Sequence, residues 1–275
     1  MNKEDNNKSE IIKKIVARSG NNFHYQVVNF LRELGWSVLV SPYYTDNLTD
    51  KPREIDIIAE KAFDVNTWGS SQWMGTLNVR LFIECKYINN NNVFWFDVID
   101  KQSVISRVMS DTPLKSPKEN TNIEKHHYMK VEKVAKLFSS DNGNRENSEV
   151  FYKAINQNLN ALIYYKNKGS LSIIPKSGKT INVISTLNYP LIVCNSFENI
   201  FGIDVVTNDE PTGVQDNFQL EVNYAYLNNI NGNQSAISEY FLLDVVDFRK
   251  FDNFLAMIEE SDIKTIKEVI AFSRQ

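Results

Sequence analysis

The sequence predicts a mixed α/β (α+β) fold, with a mixed central sheet flanked by helices and a β-rich C-terminal extension. Three observations support this prediction. Apolar residues first recur at helical spacing over 11–34. Two short runs rich in β-branched and aromatic residues, 53–59 and 79–87, then resemble buried strands. From residue 171 onward the two-residue period of strands dominates until the last 25 residues.

The first elements follow from local patterns. Residues 1–8 are polar and Asn-rich, which predicts a frayed terminus. The helical pattern begins at Ser9, is interrupted near Gly20 and resumes as far as Leu34, so it predicts two helices or one broken helix. Residues 36–41 alternate as a strand, and a loop begins at Pro42.

The later elements are assigned in the same way. Helices are predicted over 97–109, about 123–139, about 148–167, 251–258 and 263–272, and strands over 181–185, 191–194, 201–206, 218–226 and 241–248. This order divides the chain into a core, 1–170, and a β-rich extension with closing helices, 171–275. The extension is expected to pack on the core sheet or to continue it.

Composition excludes several classes of protein. A chain of 275 residues that is 42% hydrophobic can bury a sizeable core, and its formal charge of −4 argues against nucleic-acid binding by bulk positive charge. No apolar run approaches the roughly 20 residues that cross a bilayer. Cys85 and Cys194 lie in apolar runs, and no secretory leader precedes the first helix, so we expect free thiols and a cytoplasmic protein.

Charged residues stand on both predicted central strands. Glu84 and Lys86 point to one face of the second strand, and Glu54 and Asp56 share one face of the first, because side chains alternate along a strand. If the strands are neighbours, these groups converge. Removing such charges from water is costly, so the cluster requires mutual pairing or a metal ion.

The order of a helix, a strand, a strand with Glu-Ile-Asp and a strand with Glu-Cys-Lys resembles the PD-(D/E)XK nuclease superfamily, whose fold is restriction-endonuclease-like. The resemblance covers residues 9–110, and more loosely extends to Asn195; the nearer branches are the Mrr-type and Holliday-junction-resolvase-like ones. It implies a nuclease core within 1–170 and a DNA endonuclease that hydrolyses phosphodiester bonds with Mg²⁺ or Mn²⁺. Restriction, repair and phage defence are the roles it suggests.

The resemblance also implies roles for individual residues. Asp56 takes the place of the first acid of the motif, Glu84 the second and Lys86 the lysine, while the backbone carbonyl of Cys85 is expected to face the metal. Ile55 stands where the motif has its proline.

Many relatives carry a Glu on the first core helix, which this chain lacks. Phe23 is followed here by His24, so His24, Gln26 or Glu10 is the candidate to replace that acid.

Several residues have two alternative interpretations. Glu54 is either a further metal ligand or an ion-paired neighbour of Arg53 and Lys51. His24 is either catalytic or structural. The pair His126 and His127, predicted on a helix, either lines a DNA-phosphate face or belongs to a solvated face. The remaining candidates are aromatic residues that stack on unpaired bases or fill a core, and helix residues that position a substrate: Trp68, Trp73, Phe94, Trp95, Phe96, Lys101 and Gln102.

Two other functions compete with the nuclease. The chain can be a catalytically inactive nuclease-fold module that binds nucleic acid or serves assembly, or an unrelated protein with an ion-paired strand. DNA is the expected partner, and a homodimer would supply the two active sites that cutting both strands requires.

Overall fold

The computed structural model describes residues 3–18, 20–66, 74–114, 122–141, 149–166, 168, 183–207, 210–230 and 233–272. Its strands are β1 Ser37–Val40, β2 Tyr43–Thr45, β3 Pro52–Glu54, β4 Ile57–Asn66, β5 Met74–Lys86, β6 Asn92–Val98, β7 Lys133–Ser140, β8 Val183–Cys194, β9 Ile200–Asp204, β10 Thr212–Gly213, β11 Phe218–Ile230 and β12 Asn233–Asp247. Its helices are α1 Lys3–Arg18, α2 Asn21–Glu33, α3 Lys101–Ser110, α4 His127–Lys130, α5 Glu149–Tyr165, α6 Phe251–Met257 and α7 Ile263–Phe272.

Ten of the strands form one mixed sheet in the order β1-β4-β5-β8-β12-β11-β7-β6-β9-β10, while β2 and β3 pair separately. The predicted fold class, a mixed sheet flanked by helices, is therefore confirmed. β5 pairs antiparallel with β4 and parallel with β8. Strands from beyond residue 171 thus lie beside β5 in the middle of the sheet. The division of the chain near residue 170 stays a prediction.

The two faces of the sheet carry separate cores. Leu81 and Ile83 of β5 are fully buried in a core shared with α2, α6 and α7. Phe82 is fully buried in the other core, which α5 covers. Burying a side chain of this size stabilises the fold by about 1.5–3 kcal/mol. The alternation along β5 directs Glu84 to the face that α5 covers.

The sequence prediction is wrong over 123–139, where one helix was expected. A 3₁₀ turn, Ile123–Lys125, the short α4 and the strand β7 replace it. Val131, Val134, Ala135 and Phe138 have helical spacing, but in β7 Val134 enters one core and Ala135 the other. A strand buried on both faces can therefore imitate a helical pattern.

Other boundaries also differ from the prediction. α1 begins at Lys3 instead of Ser9, and β2 lies in the predicted loop. The strand predicted over 53–59 is interrupted at residues 55–56, so that β3 and β4 are separate. In the described part of the chain, no helix combines the length and apolar character required to cross a bilayer.

β8 is continuous through Pro190, although two strands were predicted on either side of it. Proline has no N–H for the ladder and is rare in central strands. Pro190 stands opposite Phe82, and the side-chain amide of Asn158 donates to the carbonyl of Phe82 at 2.8 Å and to that of Leu191 at 2.8 Å. Asn158, which is fully buried on α5, thus supplies hydrogen bonds beside the proline.

We predict that Asn158→Leu lowers the free energy of unfolding by about 2–4 kcal/mol, because it leaves two buried carbonyls without this donor. Urea denaturation measures the change. Gln102→Leu, on the exposed face of α3, is the control and should change stability by less than about 1 kcal/mol. Equal effects of the two substitutions would show that Asn158 has no special role beside Pro190.

Candidate functional site

Asp56, Glu84 and Lys86 lie together where β4 begins and β5 ends, and we call them the carboxylate–lysine cluster. Lys86 Nζ is 2.8 Å from Glu84 Oε2. The N–H of Cys85 donates to Asp56 Oδ2 at 2.8 Å, and the N–H of Asp56 lies 3.4 Å from Glu84 Oε1. The structure therefore brings together the three residues that the sequence motif singled out.

Backbone pairing fixes the position of Asp56 in the bend between β3 and β4. Its carbonyl accepts the N–H of Ser41 at 2.8 Å, and the N–H of Ile55 donates to Pro42 at 3.2 Å. Ser41 has a φ of 51°, a conformation that a side chain makes unfavourable, and it turns the chain between β1 and β2. Two adjoining turns therefore hold Asp56 against β5.

Asn195 fixes the other side of the cluster, where the chain leaves β5. Its N–H donates to the carbonyl of Lys86 at 3.1 Å, and its side-chain oxygen accepts the N–H of Ile88 at 2.6 Å. Asn195 directly follows β8. No motif predicted this role, although Asn after a strand is a common source of such side-chain to backbone bonds.

The electrostatics of the cluster are dominated by burial. Glu84 is 1% exposed, and this burial raises its pKa to about 7, with Lys86 opposing the rise and Asp56 adding to it. Burial alone would lower the pKa of Lys86, but the adjacent Glu84 outweighs it and raises that pKa. Two carboxyl groups with one ammonium leave the ionised cluster short of one positive charge.

The backbone of Cys85 contacts the cluster through its N–H, and the metal-ligand role of its carbonyl stays a prediction. Its N–H points to Asp56. In a strand, the N–H and C=O of one residue point to the same side, since a hydrogen-bonded pair exchanges both bonds. The carbonyl of Cys85 is therefore directed to the side of Asp56. Cys85 and Cys194 are free thiols, as expected.

α2 begins near the same end of the sheet but packs on the opposite face. Phe23 contacts Phe248, which directly follows β12, with ring centroids 5.4 Å apart. Gln26 is exposed, and His24 is half-buried with its Nε2 atom lacking a hydrogen-bond partner in the described structure. No hydrogen bond joins either side chain to the cluster within the described residues, and Glu10 is exposed on α1. Their catalytic roles stay predictions.

Glu54 lies on β3, next to the cluster in sequence but on a different strand from β4. Its carboxylate accepts the hydroxyl of Tyr43, and this raises the pKa of Tyr43. Its backbone carbonyl accepts the side-chain amide of Gln157 at 3.1 Å. Arg53 pairs with Asp46, with its Nε atom 3.6 Å from Asp46 Oδ2. The metal-ligand role of Glu54 stays a prediction.

The other candidates have mainly structural contacts. Phe94 is fully buried among the rings of Phe138, Phe151 and Phe218, as expected of a core residue. Lys101 donates to the carbonyls of Met129 and Val131.

Gln102 is exposed, Trp95 and Phe96 are half-buried, and Trp68 and Trp73 lie outside the described residues.

His126 and His127 are buried, so the expectation of a solvated or phosphate-binding face is wrong. Each is 3% exposed. Instead of both standing on one helix, His126 is extended and precedes α4, so the two rings stack with centroids 5.0 Å apart. Ligand atoms of His126, His127 and Asp262 lie within 4.8 Å of one another, a spacing that could hold a metal ion.

Two buried carboxylates contact His127. Its Nδ1 is 2.5 Å from Asp262 Oδ2 and its Nε2 is 3.2 Å from Asp244 Oδ1. Burial alone would lower the pKa of His127, but these carboxylates outweigh it and raise the pKa to about 10. The pKa of Asp262 is about 2, since the two histidines outweigh the effect of burial. The sequence signal that could have found Asp244 is its position as a lone acid in the apolar run 241–246.

We predict that Glu84→Gln raises the free energy of unfolding at pH 8 by about 1–3 kcal/mol. The folded-state pKa of about 7 exceeds the ordinary 4.5, so wild type loses stability as pH rises from 4.5 through 7. The uncharged amide avoids this loss. Guanidinium denaturation at pH 4.5 and pH 8 measures it, with Glu259→Gln as control. A variant less stable than wild type at pH 8 would contradict the prediction.

We also predict that His127→Gln flattens the alkaline pH dependence of stability. The folded-state pKa of about 10 lies above the ordinary 6.5, so this group contributes stability that is complete below pH 6.5 and is lost as pH rises through 10. The slope that it adds is about −1.4 kcal/mol per pH unit within that range. Urea denaturation at pH 7, 8 and 9 measures the slope, and equal slopes for wild type and variant would contradict the assignment.

Comparison with known proteins assigns no family to the chain. No family model, curated protein or solved structure matches it. The function of the chain is therefore inferred from its residues and their geometry.

Proposed function

We propose that the chain is a metal-dependent DNA endonuclease that hydrolyses phosphodiester bonds. The observation that carries this proposal is the convergence of Asp56, Glu84 and Lys86 at the adjoining ends of two neighbouring strands. A catalytic site for this reaction requires oxygen ligands for a cation and a positive group near the phosphate. The resemblance to the PD-(D/E)XK nucleases supplies the reaction class.

The donor set fits a hard divalent cation. Asp56 and Glu84 offer carboxylate oxygens, and the carbonyl of Cys85, whose N–H contacts Asp56, would be a third oxygen ligand. Oxygen-only ligands suit Mg²⁺ or Mn²⁺ better than zinc. The cluster also lacks one positive charge when it is ionised, and Glu84 is almost completely buried. A cation would remove the electrostatic cost that its raised pKa reflects.

The residues of the chain have separable tasks in this proposal. Asp56 and Glu84 would hold the cation, which when bound supplies charge neutralisation at the phosphate and a more acidic water. Lys86 would orient the attacking water and stabilise the negative charge that develops on the phosphate oxygens. Glu84 holds the ammonium of Lys86 at 2.8 Å, and Asn195 holds the backbone of Lys86 at 3.1 Å, so the ammonium is pre-positioned.

One observation favours the second candidate, a catalytically inactive module that binds nucleic acid or serves assembly. The first core helix α2 supplies no carboxylate at the position of His24, and it packs on the face opposite Glu84. A site with fewer acidic ligands holds a cation less tightly. Binding of DNA without cleavage would identify this candidate.

We predict metal-dependent cleavage that requires the cluster. Supercoiled plasmid, branched duplexes and single-stranded oligonucleotides are incubated with Mg²⁺, Mn²⁺ or EDTA, and products are separated on gels. Asp56→Asn and Lys86→Ala should each lower the cleavage rate by at least about 100-fold, because they remove a cation ligand and a charge-stabilising group.

Lys61→Ala is the matched control, since Lys61 also stands on a central strand and pairs with a glutamate, Glu259, at 2.6 Å. It should retain wild-type cleavage. A folded wild-type protein that is inert on every substrate, or cleavage that survives Asp56→Asn, would refute the nuclease assignment.

A further inference from the structure

A groove runs along α5 on the face of the sheet that also carries Glu84. It consists of two cavities of about 960 and 430 Å³, which share the lining residues Leu48, Tyr152, Asn156 and Tyr224. The smaller cavity lies between α5 and the turn that joins β2 to β3, and we call it the tyrosine–amide pocket. The lining residues that bear on its chemistry are Arg53, Tyr152, Lys153, Asn156, Asn160 and Tyr224.

The turn that closes the tyrosine–amide pocket is held in place from both sides. Asp46 Oδ1 accepts the N–H groups of Leu48 and Thr49 at 3.0 and 2.9 Å. Asn47 makes two hydrogen bonds to the backbone of Leu227 on β11. The side-chain amide of Asn47 donates to the carbonyl of Leu227 at 2.7 Å, and the N–H of Leu227 donates to Asn47 Oδ1 at 2.6 Å. The pocket is therefore largely preformed, which reduces the entropy lost when a ligand binds.

Asn160 lines this pocket and carries a buried, unpaired acceptor. The side-chain amide nitrogen of Asn160 donates to the hydroxyl of Tyr224 at 2.9 Å, and that hydroxyl donates to Asn156 Oδ1 at 3.2 Å. This chain of bonds fixes the orientation of the Asn160 amide. Asn160 is 5% exposed, and its Oδ1 atom has no hydrogen-bond partner in the described structure. A buried acceptor of this kind is costly unless a ligand donates to it.

Aromatic and basic groups surround the acceptor. Tyr152, 65% exposed, stands one turn of α5 before Asn156, and its ring is accessible from the pocket and from the solvent. Lys153 on α5 and Arg53 on β3 are exposed, and Arg53 is paired with Asp46, which also lines the pocket. Aromatic faces bind the flat surfaces of bases, and lysine or arginine binds phosphate.

We propose that the tyrosine–amide pocket binds a nucleotide, with its base against Tyr152, a base N–H donating to Asn160 Oδ1 and its phosphate near Lys153 and Arg53. Every common base has an N–H or NH₂ group on its pairing edge, so each can supply the donor. A volume of about 430 Å³ lies in the range of small-ligand sites. The ligand is either a free mononucleotide or an unpaired nucleotide of a strand.

The two sources relate differently to the proposed hydrolysis. An unpaired nucleotide would belong to the nucleic-acid substrate, so this source rests on the proposed function. The pocket is separate from the carboxylate–lysine cluster but adjacent to it. Gln157, which lines the pocket, donates to the carbonyl of Glu54 at 3.1 Å, two residues before Asp56. A free mononucleotide would be a ligand independent of cleavage.

The test measures binding in EDTA, where metal-dependent cleavage cannot contribute. Isothermal titration calorimetry is run with the four deoxynucleoside monophosphates, and fluorescence anisotropy with single-stranded and duplex 12-mers. We expect saturable binding of a mononucleotide or of a single strand. Tyr152→Ala and Asn160→Leu should each weaken it by about tenfold, the loss expected for a stacked base or a buried acceptor.

Matched controls separate this site from non-specific binding. Tyr152→Phe retains the ring, and Tyr25→Ala removes an exposed tyrosine from α2 on the other side of the sheet, so both should bind as wild type does. Circular dichroism establishes that Asn160→Leu folds, and the exposed Tyr152 provides a test that does not depend on that variant.

Mononucleotide binding that Tyr152→Ala weakens supports the free ligand, and binding restricted to single strands supports the unpaired nucleotide. Absence of binding to the whole panel, or binding that Tyr152→Ala and Asn160→Leu leave unchanged, would overturn the proposal. Neither result depends on whether the cluster cleaves DNA, so the two proposals can fail separately.

Discussion

The register between β4 and β5 is the constraint on which the candidate site depends. Ile57 pairs with Ile83, and one residue further Asp56 meets Glu84 and Cys85. Because side chains alternate along strands, a shift by one residue would send Glu84 into the core that α2 covers and an isoleucine to the cluster. The two fully buried cores on either side of β5 therefore specify the cluster as firmly as its own hydrogen bonds do.

The two groups of buried charges differ in their hydrogen bonds and in their exposure to solvent. Around His127 the carboxylates of Asp244 and Asp262 contact both ring nitrogens, and each carboxylate also accepts a tyrosine hydroxyl, from Tyr128 or Tyr189. Those groups are satisfied by one another, which is typical of a structural network. The carboxylate–lysine cluster also sets two carboxylates against one cation, but its lysine is partly open to solvent, with the Lys86 side chain 17% exposed against 3% for each histidine. A buried carboxyl of raised pKa beside an accessible cation is typical of a functional site.

Much of the fold and the cluster could be predicted from local pattern. The residues of the cluster were accessible because charged residues within apolar strands are informative without knowledge of their neighbours. β7 could not be predicted in this way, since its adjacent residues Val134 and Ala135 enter different cores and its apolar residues therefore lack the two-residue alternation of a strand. The continuity of β8 could not be predicted either. The hydrogen-bond donor beside Pro190 is Asn158, which lies on α5, a helix distant from β8 in sequence. The pocket residues Asn160 and Tyr224 are brought together only by tertiary contacts.

The central position of β8 has a consequence for the order in which the chain can fold. β4 and β5 adjoin in sequence and can form a hairpin as soon as both have been synthesised, whereas the other edge of β5 is completed only by β8, which follows much later. Until then a long apolar edge that includes Leu81 and Ile83 is open to pairing with other chains. Parallel pairing between distant segments is also intrinsically slow. Newly synthesised chains therefore pass through a stage in which aggregation competes with folding, and chaperones that cover such an edge would increase the yield of the native protein.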